Sequence, residues 1–326
     1  MATNKRKVML PHTMGKQGVA IVQARDDIET VIYQAGIAQA DLLPQLADCA
    51  GIALSATPFK QTEMDASPAI QVVARIGVGF DAVEVPTLTA RGVPLMVVGI
   101  ANSTSVAEQA FHMMIALAKL NHRMDGLVKD GKWNDRHQIL PMEISGKTVL
   151  IVGFGRIGTR TAPRCKAFDM NVLIYDPYVD PAVISAAGFM PVADLDAALP
   201  SVDFLCIHCP KNPETVGMFD ARRLGLLKKG AYCVSTARGG IIAEAPLYDA
   251  LKSGHIAGAG LDVFESEPTP NDNKLLTLDN VIASPHMAGI TTEAVAAMAV
   301  MTARNILSVL DGAPMKENAV NPEVFG

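Results

Sequence analysis

No long run of positive charge occurs in the 326-residue sequence. Nothing exceeds Lys5-Arg6-Lys7, and the formal net charge is -5. That lacks the electrostatic footprint of a nucleic-acid binder. No apolar h-region follows the N-terminal cations, so a secretory signal is not expected. No apolar run approaches the roughly 18 residues that cross a bilayer, so a membrane segment is not expected either. Cysteine is scarce: five residues, an odd count that argues against a disulfide framework and fits a reducing cytoplasm. Cys206 and Cys209 do match C-x-x-C. They lie, however, in the apolar run Asp203–Pro210, which reads as a buried strand, and residues three apart on a strand face opposite sides. The two thiols therefore cannot share a metal or a bridge, and no metal site is expected. Internal repeats and low-complexity segments are also absent.

What is present is a globular composition, 49% hydrophobic and 19% charged, on a chain long enough for two domains. In the first hundred residues short β-like runs alternate with helical stretches. Lys7–Leu10, Thr30–Tyr33, Gly51–Ser55 and Val72–Ile76 read as strands, with a short helix over Leu42–Ala47. Ser105–Lys129 reads as one long helix, with Val106, Ala110, Met113, Met114, Leu117 and Leu120 at helical spacing. The pattern breaks at Gly131-Lys132-Trp133. A second series follows, with strands expected over Lys147–Val152, Asn171–Tyr175, Phe204–His208, Tyr232–Ser235, Gly258–Leu261 and Val281–Ala283, and a last helix over Thr292–Leu310. Two such series predict an α/β protein with parallel sheets.

Gly153-Phe-Gly155-Arg156-Ile157-Gly158 is a G-x-G-x-x-G. Alone it is a weak signal. Here the apolar strand Thr148–Val152 precedes it and a helical segment, Arg156–Phe168, follows. The first glycine permits the tight turn. The second lets a pyrophosphate approach the backbone, and the third lets helix and strand pack closely. The next strand ends at Asp176, near the spacing expected of an acid that binds the adenosine ribose and repels a 2′-phosphate. The pattern predicts NAD as cofactor. Pro163 sits inside the expected helix, where it should kink the helix or shift its start.

Three further strands end in polar segments: Ser235-Thr-Ala-Arg238-Gly-Gly, Leu261-Asp262-Val-Phe-Glu265-Ser-Glu267-Pro, and Ser284-Pro-His286-Met-Ala-Gly. Ligands of open α/β sheets bind at the carboxyl ends of strands. An arginine, a carboxylate and a histidine there suit reduction of a 2-keto acid. Imidazolium donates the proton, the carboxylate orients the ring and favours its charged form, and guanidinium holds the substrate carboxylate.

On these motifs, together with Tyr175-Asp-Pro-Tyr178, His208-Cys-Pro210 and Pro213-Glu-Thr215, nearly the whole chain resembles the D-isomer-specific 2-hydroxyacid dehydrogenase family. The resemblance implies two Rossmann-like or flavodoxin-like domains with a cleft between them. It places residues 1–100 and 287–326 in a substrate-binding domain and 101–286 in an NAD-binding domain. It implies Arg238, Glu267 and His286 as the catalytic set, and Asp262 on the nicotinamide carboxamide. Cys209, Thr215, Thr236 and Ala237 would line the cofactor, and Arg75, Gly77, Val78 and Gly79 would receive the substrate carboxylate. It also implies a homodimer, joined near the long helix and Trp133. The chain departs from the family pattern at Asp81-Ala-Val-Glu84, at Ala243 and at Pro163. Leu54 stands where phosphoglycerate dehydrogenases carry a phosphate-gripping arginine, and no regulatory domain is expected after residue 326, so an unphosphorylated small acid is favoured. Two alternatives stay open: a phosphite- or formate-type dehydrogenase on the same scaffold, and an NAD-sensing corepressor-like binding protein. Formate dehydrogenases carry glutamine where Glu267 stands.

Overall fold

The computed structural model describes residues 5–326. They form two compact units, one of residues up to Asn102 together with Ile290–Gly326, the other Ser103–Gly289.

The first unit holds a five-stranded parallel sheet. Its strands are β1 (Arg6–Pro11), β2 (Ile28–Tyr33), β3 (Cys49–Leu54), β4 (Val72–Arg75) and β5 (Leu95–Met96), in the order β2-β1-β3-β4-β5. This is the flavodoxin-like order. Alternate side chains feed two cores, one around Met9, Ile52, Leu54 and Val73, the other around Val8, Leu10, Ala53 and Ala74. The helix Thr292–Leu310 closes the second of these with Ala299, Ala303 and Ile306. By length and composition this 19-residue helix, with a mean hydropathy of 1.4, could cross a membrane. No unbroken apolar run underlies that figure, because Glu293, Thr302, Arg304, Asn305 and Ser308 interrupt the helix. In the fold it is a core helix that also buries Thr302 and Asn305, and Asn305 donates to the Val97 carbonyl at 2.8 Å.

The second unit holds seven parallel strands: β6 (Thr148–Val152), β7 (Asn171–Tyr175), β8 (Met190–Pro191), β9 (Phe204–Ile207), β10 (Ala231–Ser235), β11 (Ile256–Leu261) and β12 (Val281–Ala283). Their order is β12-β11-β10-β9-β6-β7-β8. From β6 the chain builds outward one way through β7 and β8, then returns beside β6 and builds the other way, the Rossmann arrangement. Cys206 belongs to the core on one sheet face and Cys209 to the core on the other, but the expected strand over Asp203–Pro210 ends at Ile207, so Cys209 lies in the loop beyond it and strand parity does not set its side. All five cysteines are free and buried.

The expected long helix is two, Ser103–Ala118 and Asn121–Lys129, because Leu120 between them takes a left-handed backbone with φ 52°. The apolar spacing ran across the break because both pieces carry it. The helix after the glycine turn starts at Gly158 and runs through Pro163 to Ala167. Proline has no N–H for the Thr159 carbonyl. Thr159 is exposed, so water can take that place. The short strands β5 and β8 were not legible, since two residues carry no period.

Candidate active site

Every candidate segment of the second unit follows the carboxyl end of a parallel strand: the glycine turn after β6, Asp176 after β7, Cys209–Thr215 after β9, Arg238 after β10, Glu267 after β11 and His286 after β12. Parallel strands put these ends along one edge, and β10, β11 and β12 are neighbours. The sheet order therefore gathers Arg238 and His286, 48 positions apart in sequence.

The three glycines do different work. Gly153 has φ 99°, and a Cβ there would lie 2.7 Å from the Cys209 nitrogen. A Cβ on Gly158 would lie 2.0 Å from the Gly153 carbonyl oxygen, so strand and helix can meet only through glycine. A Cβ built on Gly155 would meet no heavy atom beyond its chain neighbours within 4 Å. Its lack of a side chain leaves open space, the cradle that a pyrophosphate needs. Asp176 supports the turn from one side: Phe154 N donates to Oδ2 at 2.8 Å and Tyr178 N to Oδ1 at 3.0 Å. Each carboxylate oxygen keeps a lone pair for a ribose hydroxyl. Thr215 fastens the opposite loop, its hydroxyl donating to the Pro210 carbonyl at 2.7 Å. Burial pushes the Cys209 thiol up to about 11, so Cys209 is a neutral lining group. Thr236 Oγ1 is buried with no hydrogen-bond partner among the described residues. A buried hydroxyl without a partner is costly. These features fit a dinucleotide. Arg156 is exposed, Ile157 half-buried and Ala237 buried beside the same turns.

His286 and Glu267 meet directly, Nδ1 to Oε2 at 2.6 Å. The other Glu267 oxygen accepts from Phe264 N at 3.0 Å, which aims the carboxylate. Arg238 Nη1 donates to the Ala237 carbonyl at 2.7 Å. Behind it, a Cβ on Gly239 would lie 1.8 Å from the Phe264 carbonyl oxygen, so the arginine turn and the Glu267 loop are pressed together.

Asp262 does something the sequence did not suggest. Only 1% exposed, its Oδ1 accepts from Met287 N at 2.8 Å and from the Ser284 hydroxyl, and its Oδ2 accepts from Ala288 N at 2.9 Å. Its own carbonyl accepts from His286 N at 2.9 Å. His286 meanwhile has φ 54°, a left-handed backbone that costs a non-glycine residue energy. The carboxylate thus clamps the strained turn that presents the histidine. A bond to a nicotinamide carboxamide would use the remaining lone pair on Oδ2. Ser284 was missed as a functional residue; its hydroxyl two positions before the histidine was the available signal.

In the first unit, Arg75 donates from Nε to the Gly79 carbonyl at 2.8 Å and from Nη1 to the Leu54 carbonyl at 3.2 Å. It ties the end of β3 to the loop that follows β4. Gly77, with φ 150°, turns the backbone. The amides of Gly77, Val78 and Gly79 donate to no group among the described residues. They form a set of donors open to an anion.

Residues 111–288 match the family model for the NAD-binding domain of D-isomer specific 2-hydroxyacid dehydrogenases. The chain belongs to that family. It is 34% identical over 97% of its length to D-3-phosphoglycerate dehydrogenase of Archaeoglobus fulgidus, but spans only 59% of that relative's length. It is 38% identical over 80% of its length to glyoxylate reductase of Thermofilum pendens and covers 78% of that protein. Among solved structures it resembles D-lactate dehydrogenase from Aquifex aeolicus in complex with NAD and lactic acid. The TM-score is 0.86 at 27% identity, covering 96% of this chain and 99% of that one. The NADPH-dependent glyoxylate/hydroxypyruvate reductase of Sinorhizobium meliloti gives a TM-score of 0.85 at 28% identity, over 98% of both chains. The second unit thus carries the NAD-binding domain of the family.

Proposed function

We propose that this family member is a dehydrogenase that interconverts a small D-2-hydroxy acid and its 2-keto acid. The observation that carries the reading is the His286–Glu267 pair, 2.6 Å apart, on loops that follow adjacent strands. With Nδ1 bonded to the carboxylate, Nε2 is the atom left to exchange a proton. The glycine turn and Asp176 would hold NAD(H), which when bound would supply or accept the hydride. His286 Nε2 gives its proton to the keto oxygen in reduction and takes it back in oxidation. Glu267 fixes the ring and stabilises the imidazolium. Arg238 grips the substrate carboxylate through its planar fork. The open amides of Gly77, Val78 and Gly79, organised by Arg75, form an anion cradle within the first unit. Leu54 gives that edge no additional cation, which favours an unphosphorylated acid.

Val128, Trp133, Ile139 and Leu140 are exposed apolar side chains of the kind that a homodimer contact would cover. The free cysteines suit the cytoplasm.

The test is NADH oxidation with a panel of 2-keto acids, among them glyoxylate, hydroxypyruvate and phosphohydroxypyruvate. Turnover of unphosphorylated members, lost in His286→Ala while NADH still binds, is the expected result. NADH binding with no turnover of any acid would replace the enzyme reading by a binding role.

A further inference from the structure

The Tyr178 hydroxyl donates to Glu214 Oε2. Tyr178 follows β7 and Glu214 lies in the loop after β9. In the sheet these strands are not neighbours, because β6 lies between them. Two strand spacings separate them, about 10 Å. A bond between the two side chains therefore passes over the carboxyl end of β6, where the glycine turn begins.

That turn is held on both flanks by the same two loops. Asp176, two residues before Tyr178, accepts from Phe154 N at 2.8 Å. On the other flank Gly153 lies so close to the β9 loop that a Cβ would be 2.7 Å from Cys209 N. Both side chains are presented by ordered turns. Tyr178 N donates to Asp176 Oδ1 at 3.0 Å, and Glu214 N donates to Asn212 Oδ1 at 2.9 Å. The ribose acid, the lining residues and the bridging pair thus share one edge. Tyr178 is 75% exposed and supports no core. Its phenol is also pushed up by the Glu214 carboxylate.

We propose that Tyr178 and Glu214 form a strap across the adenosine end of the dinucleotide groove, a hydrogen-bonded closure that slows the release of NAD(H). The inference rests on the dinucleotide reading of that groove. A bond that merely tidies the surface would leave nucleotide kinetics alone. A strap makes release wait for its opening.

The test is stopped-flow displacement of bound NADH, followed by its fluorescence, with the full-length protein and no substrate. Tyr178→Phe and Glu214→Ala should each release NADH roughly three- to tenfold faster, as expected for one exposed hydrogen bond. Glu214→Gln keeps an acceptor oxygen and should stay within about twofold of wild type. The double variant Tyr178→Phe/Glu214→Ala should be no faster than either single, because the two act through one bond. Melting curves without nucleotide should coincide for all four variants and wild type. Unchanged release in the single variants, slower release, or strictly additive effects would each overturn the strap. Failure of wild type to bind NADH at all would instead remove the dinucleotide reading on which it rests.

Discussion

Replacing Asp262 by asparagine changes no volume but tests the clamp on His286. The native carboxylate accepts three donors: Met287 N, Ala288 N and the Ser284 hydroxyl. Asparagine offers one oxygen and one NH2. Its better orientation keeps the oxygen toward Met287 and Ser284 and sets the NH2 against the Ala288 N–H. That leaves a buried amide unpaired, worth about 1–3 kcal/mol. The two surviving bonds also lose their charge assistance, which roughly halves each. A total near 3 kcal/mol exceeds the roughly 1–2 kcal/mol that a left-handed non-glycine backbone costs. The turn should therefore relax away from φ 54° and carry His286 off Glu267 Oε2. Since about 1.4 kcal/mol is tenfold in rate, kcat should fall by roughly 10- to 100-fold. The melting temperature should fall by about 6–12 °C, at roughly 2–4 °C per kcal/mol for a unit of this size. The assay is single-turnover NADH oxidation at saturating keto acid, with NADH affinity measured separately. Ser284→Ala removes only one of the three bonds and should cost several-fold less in kcat. An Asp262→Asn enzyme within twofold of wild-type kcat, or a Ser284→Ala variant worse than it, would refute the clamp.

Arg238→Lys keeps the charge but not the bidentate fork, so kcat/KM should fall strongly for every keto acid while NADH affinity changes little; near-normal turnover would remove Arg238 from substrate binding. His286→Ala should lose about 10²–10⁴ in kcat, the usual worth of general acid–base catalysis, and a loss confined to KM would contradict proton transfer. Wild type should show a much higher kcat/KM with NADH than with NADPH because of Asp176, and parity between the two would dismiss that role. His208 is half-buried, and desolvation of its ring lowers its pKa from 6.5 to about 3. The unfolded chain therefore takes up a proton that the folded chain refuses. Its contribution is complete above pH 6.5 and is lost as pH falls toward about 3, with a slope of about 1.4 kcal/mol per pH unit. At pH 5 the penalty is about 2 kcal/mol. Denaturant titrations at pH 7.5 and 5 should show a smaller drop for His208→Gln than for wild type, and equal drops would show that another group dominates.

The local grammar of the site was written in the chain. Strand, glycine turn, helix, strand and Asp176 follow from short-range rules about sterics and periodicity. Helix continuity was less legible. The apolar stripe runs through Leu120 unbroken, yet the backbone there turns left-handed, and hydropathy does not encode φ. Nor did spacing in the sequence tell that Asp262 would serve the histidine 24 positions later, or that Tyr178 would reach Glu214 over an intervening strand. Those meetings depend on sheet order. Only the placement of β12 beside β11, and of β6 between β7 and β9, brings the partners within reach of a hydrogen bond. Directional bonds form over about 3 Å. Residue types and local turns specified which groups could form them, and the tertiary arrangement of the strands decided which did.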